Sequence, residues 1–132
     1  MKNLFKKGAQ KKHKVVVTKN DMAKFESGVV HEVYSTFALC RDAEWSGRLF
    51  VLEMKEEGEE GIGTSISIDH KSPAFINDEV VFTATYEEVK DTGEIINSFE
   101  AHVGERLIAT GTQGQRILPK EKIDSIFNKL KS

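Results

Sequence analysis

Four residues stand out as groups able to move a proton or meet a developing charge: Thr36, Glu44, Gly63 and His70. Glu44 lies on a stripe that reads Phe37, Cys40, Glu44, Gly47, Phe50 or Val51, and Met54, at helical spacings of three and four. Its carboxylate is therefore expected to face whatever the helix packs against. A carboxyl that loses water has its pKa raised unless a donor compensates. A Glu at the stripe edge, reaching water or a lysine, is the plainer alternative. His70 ends a strand-like run and shares the parity of Ile62, Thr64, Ile66 and Ile68. An imidazole titrates near neutrality, so a strand-end His is well placed for proton transfer. A structural His with satisfied nitrogens is the competing reading. Thr36 precedes Glu44 by eight residues, about two turns and about 80° further round an ideal helix, so the two do not stack. If Thr36 stands at or before the N-cap, its hydroxyl can swing toward the carboxylate; simple capping is the alternative. Gly63 opens the strand that His70 ends. It reads either as a turn residue or as a backbone N–H that no Cβ screens from a ligand.

Other chemistries lack their residues. No GxSxG elbow, phosphate loop or GxGxxG occurs. His13, His31, His70 and His102 have no zinc spacing, and Cys40 is the single cysteine, on a stripe where it reads as core. The residues themselves give no case for a metal site.

These residues must be positioned by a particular order of elements. Lys14–Thr18 reads as a short β-branched strand. Asn20 and Asp21 are expected to cap a brief helix through Phe25, closed by Ser27 and Gly28. The pattern from Tyr34 to Met54 predicts one long helix, with Ser35 and Thr36 as natural N-caps. Its small residues Ala43, Ser46 and Gly47 suit close approach by another backbone. Gly47 costs a helix about 1 kcal/mol relative to Ala, which implies a packing reason. After Gly58 and Gly61 the period becomes two. Strands are expected over Ile62–His70, Val80–Tyr86, Ile95–Val103 and Arg106–Leu118, with Gly111 and Gly114 as bulges or close-approach points. Pro119 opens an amphipathic helix carrying Ile123, Ile126, Phe127 and Leu130.

A meander of antiparallel strands buries one face, and the only long helix is its natural cover. The expected class is α+β, an antiparallel sheet wrapped around a central helix, which is the hot-dog architecture; other layered α+β sheets remain open. At 132 residues the chain fits one domain, here 14–132, preceded by a basic arm over 1–13 with Lys2, Lys6, Lys7, Lys11 and Lys12. That arm reads as a solvated terminus or as an attractor of a ligand's phosphates. The net charge of −2 gives no electrostatic case for nucleic acid. No run of 18 apolar residues exists to span a membrane, and no apolar core follows the lysines as in a secretory leader. A cytoplasmic location is the expectation.

The segments VYSTFALCRDAEW (Val33–Trp45) and GIGTSISIDH (Gly61–His70) resemble the fluoroacetyl-CoA thioesterase-like branch of the hot-dog superfamily. That branch carries a Thr, a Glu-Trp eight residues later, and a G-T-x-I-x-x-x-H strand. Here these are Thr36, Glu44-Trp45, and Gly63 through His70. The pairs Ala101-His102 and Gly111-Thr112 also match, so the resemblance spans roughly Lys14 to Leu118. It implies an acyl-CoA thioesterase, a homodimer or dimer of dimers, with a Thr36–Glu44–His70 group beside the interface. Glu44 would be nucleophile or general base, Thr36 would orient it, and His70 would hold water or assist thiolate departure. The Gly63 N–H would meet the carbonyl oxygen. No metal or redox cofactor is implied, and coenzyme A enters only as part of the substrate. A hot-dog module that binds acyl-CoA without turnover is the alternative. Two positions depart from the pattern. Val30 stands where the fluoroacyl-selective member has a lid Phe, which argues against fluoroacyl selectivity. The family's Arg after Gly-Thr aligns with Gln115, with Arg116 one residue later, and a bulge at Gly114 would restore it.

Overall fold

The computed structural model describes residues 1–25 and 28–132. In chain order it runs β1 (Gln10–Val16), a single 3₁₀ turn (Lys19–Asp21), β2 (Met22–Phe25), β3 (Gly28–Tyr34), α1 (Thr36–Met54), β4 (Glu59–His70), β5 (Glu79–Val89), β6 (Ile95–Val103), β7 (Arg106–Pro119) and α2 (Lys120–Lys131). Five strands form one antiparallel sheet in the order β1-β5-β6-β7-β4, and β2 pairs with β3 in a separate two-stranded sheet. The sheet curls around α1, with α2 at the carboxyl end: the hot-dog fold.

Two expected elements differ. Met22–Phe25 is strand, not helix, because it is recruited by β3, whose Gly-Val-Val-His-Glu-Val-Tyr supplies a β-branched partner. Ser27, the expected helix stop, lies outside the described residues. The amino end is no free arm either. β1 starts at Gln10, so Lys11, Lys12 and His13 pair with β5, while Met1, Phe5 and Ala9 pack against the core. Apolar residues interleaved with the lysines give that segment a face to bury, and Lys11 lies 5.3 Å from the Phe5 ring centroid.

Helix α1 begins cleanly because Ser35 Oγ accepts the Ala38 N–H at 3.0 Å. Its buried face is Ala38, Leu39, Asp42, Ala43, Ser46, Gly47, Phe50, Val51 and Met54. The face lies about 100° round from the expected stripe in the first turns. Phe37 is 83% exposed and Glu44 is exposed. Hydropathy misleads because Asp42 and Ser46 are polar yet buried, whereas Phe37 is apolar yet turned out.

The core has two lobes. One gathers Leu39, Phe82, Phe99 and Ile108 around the amino half of α1, and the other Phe50, Met54, Tyr86 and Ile95 around its carboxyl half. Each large side chain buried there contributes about 1.5–3 kcal/mol relative to exposure. Gly111 meets the expectation of close approach: a Cβ there would overlap the Ser67 carbonyl and the Phe99 ring. Of α2, Ile123 is buried while Ile126, Phe127 and Leu130 are exposed.

Candidate active site

β4 carries the site's geometry. Its register to β7 slips between Gly63 and Ser65, so Thr64 is an extra, bulged residue. A bulge reverses which face each later residue takes. The period-two reading puts Ile62 and Thr64 with Ile66, Ile68 and His70; the structure instead turns Gly61 and Gly63 toward α1 before the bulge. A Cβ at Gly61 would meet Val51, and one at Gly63 would lie 2.8 Å from Glu44 Oε1. After the bulge, Ile68 packs on the core and His70 meets the start of α1. Thr64 and Ser65 turn to the outer face together, both hydroxyls crowding the position a Cβ at Gly114 would take.

Thr36 and His70 form one pair. Ser35 is the N-cap, so Thr36 is the first helical residue, and its Oγ1 is 3.0 Å from His70 Nδ1. The hydroxyl is thus committed to the imidazole rather than swung toward Glu44. His70 Nε2 is buried with no hydrogen-bond partner among the described residues. A ring fixed through Nδ1 and unengaged at Nε2 is oriented for a further group.

Glu44 and Gly63 form the other pair, in a notch with Thr64, Ser65 and Ile66. The carboxylate is more exposed than the sequence implies, because it sits on the flank of α1 rather than beneath it. Among the described residues no hydrogen bond joins it to Thr36 or His70. Along α1, Thr36 and Glu44 are separated by about 12 Å; along β4, Gly63 and His70 by about 23 Å. A single chain therefore brings these residues together two by two.

Three further features escape the motif reading. A groove beside Thr36 is lined by Asn20, Met22, Ala23, Lys24 and Phe37. A cleft over Glu44 is lined by His13, Arg41, Asp42, Trp45 and Arg48, with the His13 and Trp45 ring centroids 6.4 Å apart. Beneath it a polar cluster ties three elements. The Tyr34 hydroxyl donates to Asp42 Oδ2 at 2.5 Å, and the Arg41 guanidinium donates to Asp42 and, at 3.0 Å, to Asp21. Thr18 donates to Asp21 from its N–H and its hydroxyl. The adjacent charges Arg41-Asp42, two residues before Glu44, were the available signal. Burial pushes the Tyr34 hydroxyl pKa far up, and the Asp42 carboxylate adds to it.

Burial also pushes the Asp21 carboxyl up, but the Thr18 donors and Arg41 outweigh it and hold the pKa below the usual 3.8. A depressed folded pKa gives stability that is present above the unfolded value and lost as pH falls through the folded one. Asp21→Asn is therefore expected to destabilise by about 1–3 kcal/mol near neutrality. Melting curves should show the gap to wild type closing once pH drops below 3.8; a constant gap would contradict the assignment.

The family's Arg is not restored. The bulge near Gly114 falls on β4, and β7 keeps its register to β6 from Ala109 to Gln115, so Gln115 points inward, fully buried, and Arg116 outward. The side chain of Val30 lies outside the described residues. Among the described residues no three His, Cys, Asp or Glu side chains gather as a metal site requires. No helix among them is long and apolar enough to cross a membrane.

Comparison with known proteins matches this geometry to a family. A family model for the fluoroacetyl-CoA-specific thioesterase FlK matches residues 17–121. Among solved structures, a hypothetical protein of Thermus thermophilus, a thioesterase superfamily member, is 33% identical, with 98% of this chain and 95% of that chain covered and a TM-score of 0.92. A point mutant of FlK is 22% identical, with 97% and 98% covered and a TM-score of 0.86. A hot-dog-like protein from Thermanaerovibrio acidaminovorans is 20% identical, with 96% and 93% covered and a TM-score of 0.86. The last two likenesses speak to fold alone. Comparison with the curated proteins found no match. With a thioesterase model covering most of its length and a sheet that wraps one helix, the chain belongs to the FlK thioesterase family and is a thioester hydrolase of hot-dog fold.

Proposed function

We propose that the protein hydrolyses small or medium acyl-CoA thioesters at a site built from two copies of the chain. The observation that carries this is the seating of Glu44 against the bare backbone of Gly63, at the free edge of the sheet. Point mutants of FlK have been solved with acetyl-CoA and with fluoroacetate and CoA, which supports an acyl-CoA as the substrate class here. No fluoroacyl preference is proposed, since Val30 replaces the lid Phe.

β4 invites a partner. It is twelve residues long, contains no Pro, Lys or Arg, and exposes 39% of Ile66. Such an edge presents unpaired N–H and C=O groups to another strand. A two-fold antiparallel pairing of β4 with its copy, centred on Ser67 and with Thr64 again the extra residue, sets Gly63 of one chain opposite His70 of the other. The Glu44–Gly63 pair of one chain then stands beside the Thr36–His70 pair of its partner. The separation within one chain becomes proximity between two.

In such a site Glu44 takes a proton from water, and the hydroxide formed attacks the thioester carbonyl carbon. The carbonyl electron pair moves to oxygen, where the Gly63 N–H donates; one such donor is worth about 3 kcal/mol in other enzymes. Collapse re-forms the carbonyl and breaks the C–S bond, its electron pair leaves on sulfur, and His70 passes on to the thiolate the proton that Glu44 took from water. Thr36 holds the imidazole through Nδ1. Water is the only co-reactant, and coenzyme A leaves as product.

Thiol release measured across acyl-CoAs of graded chain length and charge tests the reading. Turnover concentrated on short or medium acyl groups is expected. Tight binding without turnover would replace the enzyme with a ligand-binding module.

A further inference from the structure

Between the two apolar lobes of the core lies a layer that no hydrophobic argument explains. Gln113 on β7 is 1% exposed and Asn97 on β6 is 0% exposed, and the two face each other across the sheet register. Asn97 Nδ2 donates to Gln113 Oε1 at 3.3 Å, and Gln113 Nε2 donates to the backbone carbonyl of Glu44 at 3.0 Å. Gly47 makes room for this: a Cβ there would overlap the Gln113 side-chain amide. The glycine that a helix disfavours is thus what allows a sheet side chain to reach the backbone of α1.

We propose that Gln113, oriented by Asn97, is a positioning residue for Glu44. This rests on the catalytic reading of Glu44 given above. Apolar lobes on either side already hold α1 to the sheet, but apolar contacts tolerate sliding and rotation. A directed hydrogen bond does not, and buried polar groups are best attested as devices that fix register. This bond lands on residue 44 itself, one backbone unit from the side chain that meets Gly63. It sets the height and rotation of α1 where a carboxylate displaced by about 1 Å costs about a hundredfold in rate.

A double-mutant cycle separates positioning from plain support of the fold. Gln113→Met keeps the volume and removes the amide. In the wild-type background it is expected to lower kcat by about 10- to 100-fold with KM changed by less than about threefold. In a Glu44→Ala background, with residual turnover read at high enzyme concentration, it is expected to lower the rate no further. An equal loss in both backgrounds, or an unchanged kcat in the first, overturns the proposal while leaving Glu44 in place. Wild-type turnover by Glu44→Ala alone overturns instead the role of Glu44 on which the proposal rests. Should Gln113→Met not fold, Asn97→Leu carries the same cycle, since it keeps the glutamine and removes only its orienting donor.

Discussion

Glu44→Ala is expected to lower kcat for acyl-CoA hydrolysis by about 10²–10⁴-fold, the range that a positioned general base supplies. Its stability should hardly move. Glu44 is exposed on α1, and its carboxylate has no hydrogen-bond partner among the described residues. Exposed substitutions of that kind stay within about 0.5 kcal/mol, and Ala is the best helix former. Few substitutions pair so large an expected kinetic loss with so small a thermodynamic one, and the pairing is what marks a site residue rather than a structural one. Glu44→Gln sharpens the result. It keeps the shape against Gly63 but removes the proton acceptor, so it should fall nearly as far. Initial rates of thiol release beside melting curves decide the matter. Turnover within about threefold of wild type in both variants removes Glu44 from the reaction.

The second large effect belongs to His70. With Nδ1 taken by Thr36 and Nε2 buried and unengaged, the ring has one nitrogen left for water or the departing sulfur. His70→Ala removes a proton-transfer group and should cost about 10²–10³-fold in kcat. Thr36→Ala removes only the hydrogen bond that orients the ring. A neutral bond of that kind is worth about 1 kcal/mol, so a loss of about tenfold or less is expected. Thr36→Ser, which keeps the hydroxyl, should recover most of it. A Thr36→Ala enzyme slower than His70→Ala would reverse the roles assigned to the pair.

Much of the fold was legible because its signals are local. The period-two runs from Ile62 to Leu118 become β4 to β7 within a few residues at each end, and Tyr34–Met54 becomes α1. The failures have physical causes. A stripe reading ranks residues by hydropathy, whereas α1 buries Asp42 and Ser46 because Tyr34, Arg41 and the Ala43 carbonyl satisfy them. That rotates Glu44 outward. Alternation along β4 is broken by the extra residue at Thr64, which nothing in Gly-Ile-Gly-Thr-Ser announces until it is paired against Gln115 and Gly114. β2 and β3 form through each other, so neither short segment declares itself alone.

Type and spacing single out the motif residues, but not the two pairs in which the structure places them. Eight residues on a helix and seven on a strand fix two distances, and neither is short enough to bring Glu44 to His70 in one chain. Gln113 and Asn97 carried no signal at all, since a buried amide in a strand looks in sequence like any polar residue on its outer face. Arg116 shows the same limit. A bulge at Gly114 would have turned it inward; the slip beside Gly114 falls on β4 instead, and the shift of β7 against β6 lies far from it, at Ile108.

The shared site is tested most directly by mixing two inactive chains. Glu44→Ala and His70→Ala are unfolded together, refolded together and assayed. If each site takes Glu44 from one chain and His70 from the other, half the dimers are mixed and each mixed dimer holds one intact site, so about a quarter of wild-type activity returns. If both residues act within one chain, every site in the mixture lacks one of them, and activity that stays at the level of the separate variants contradicts the account.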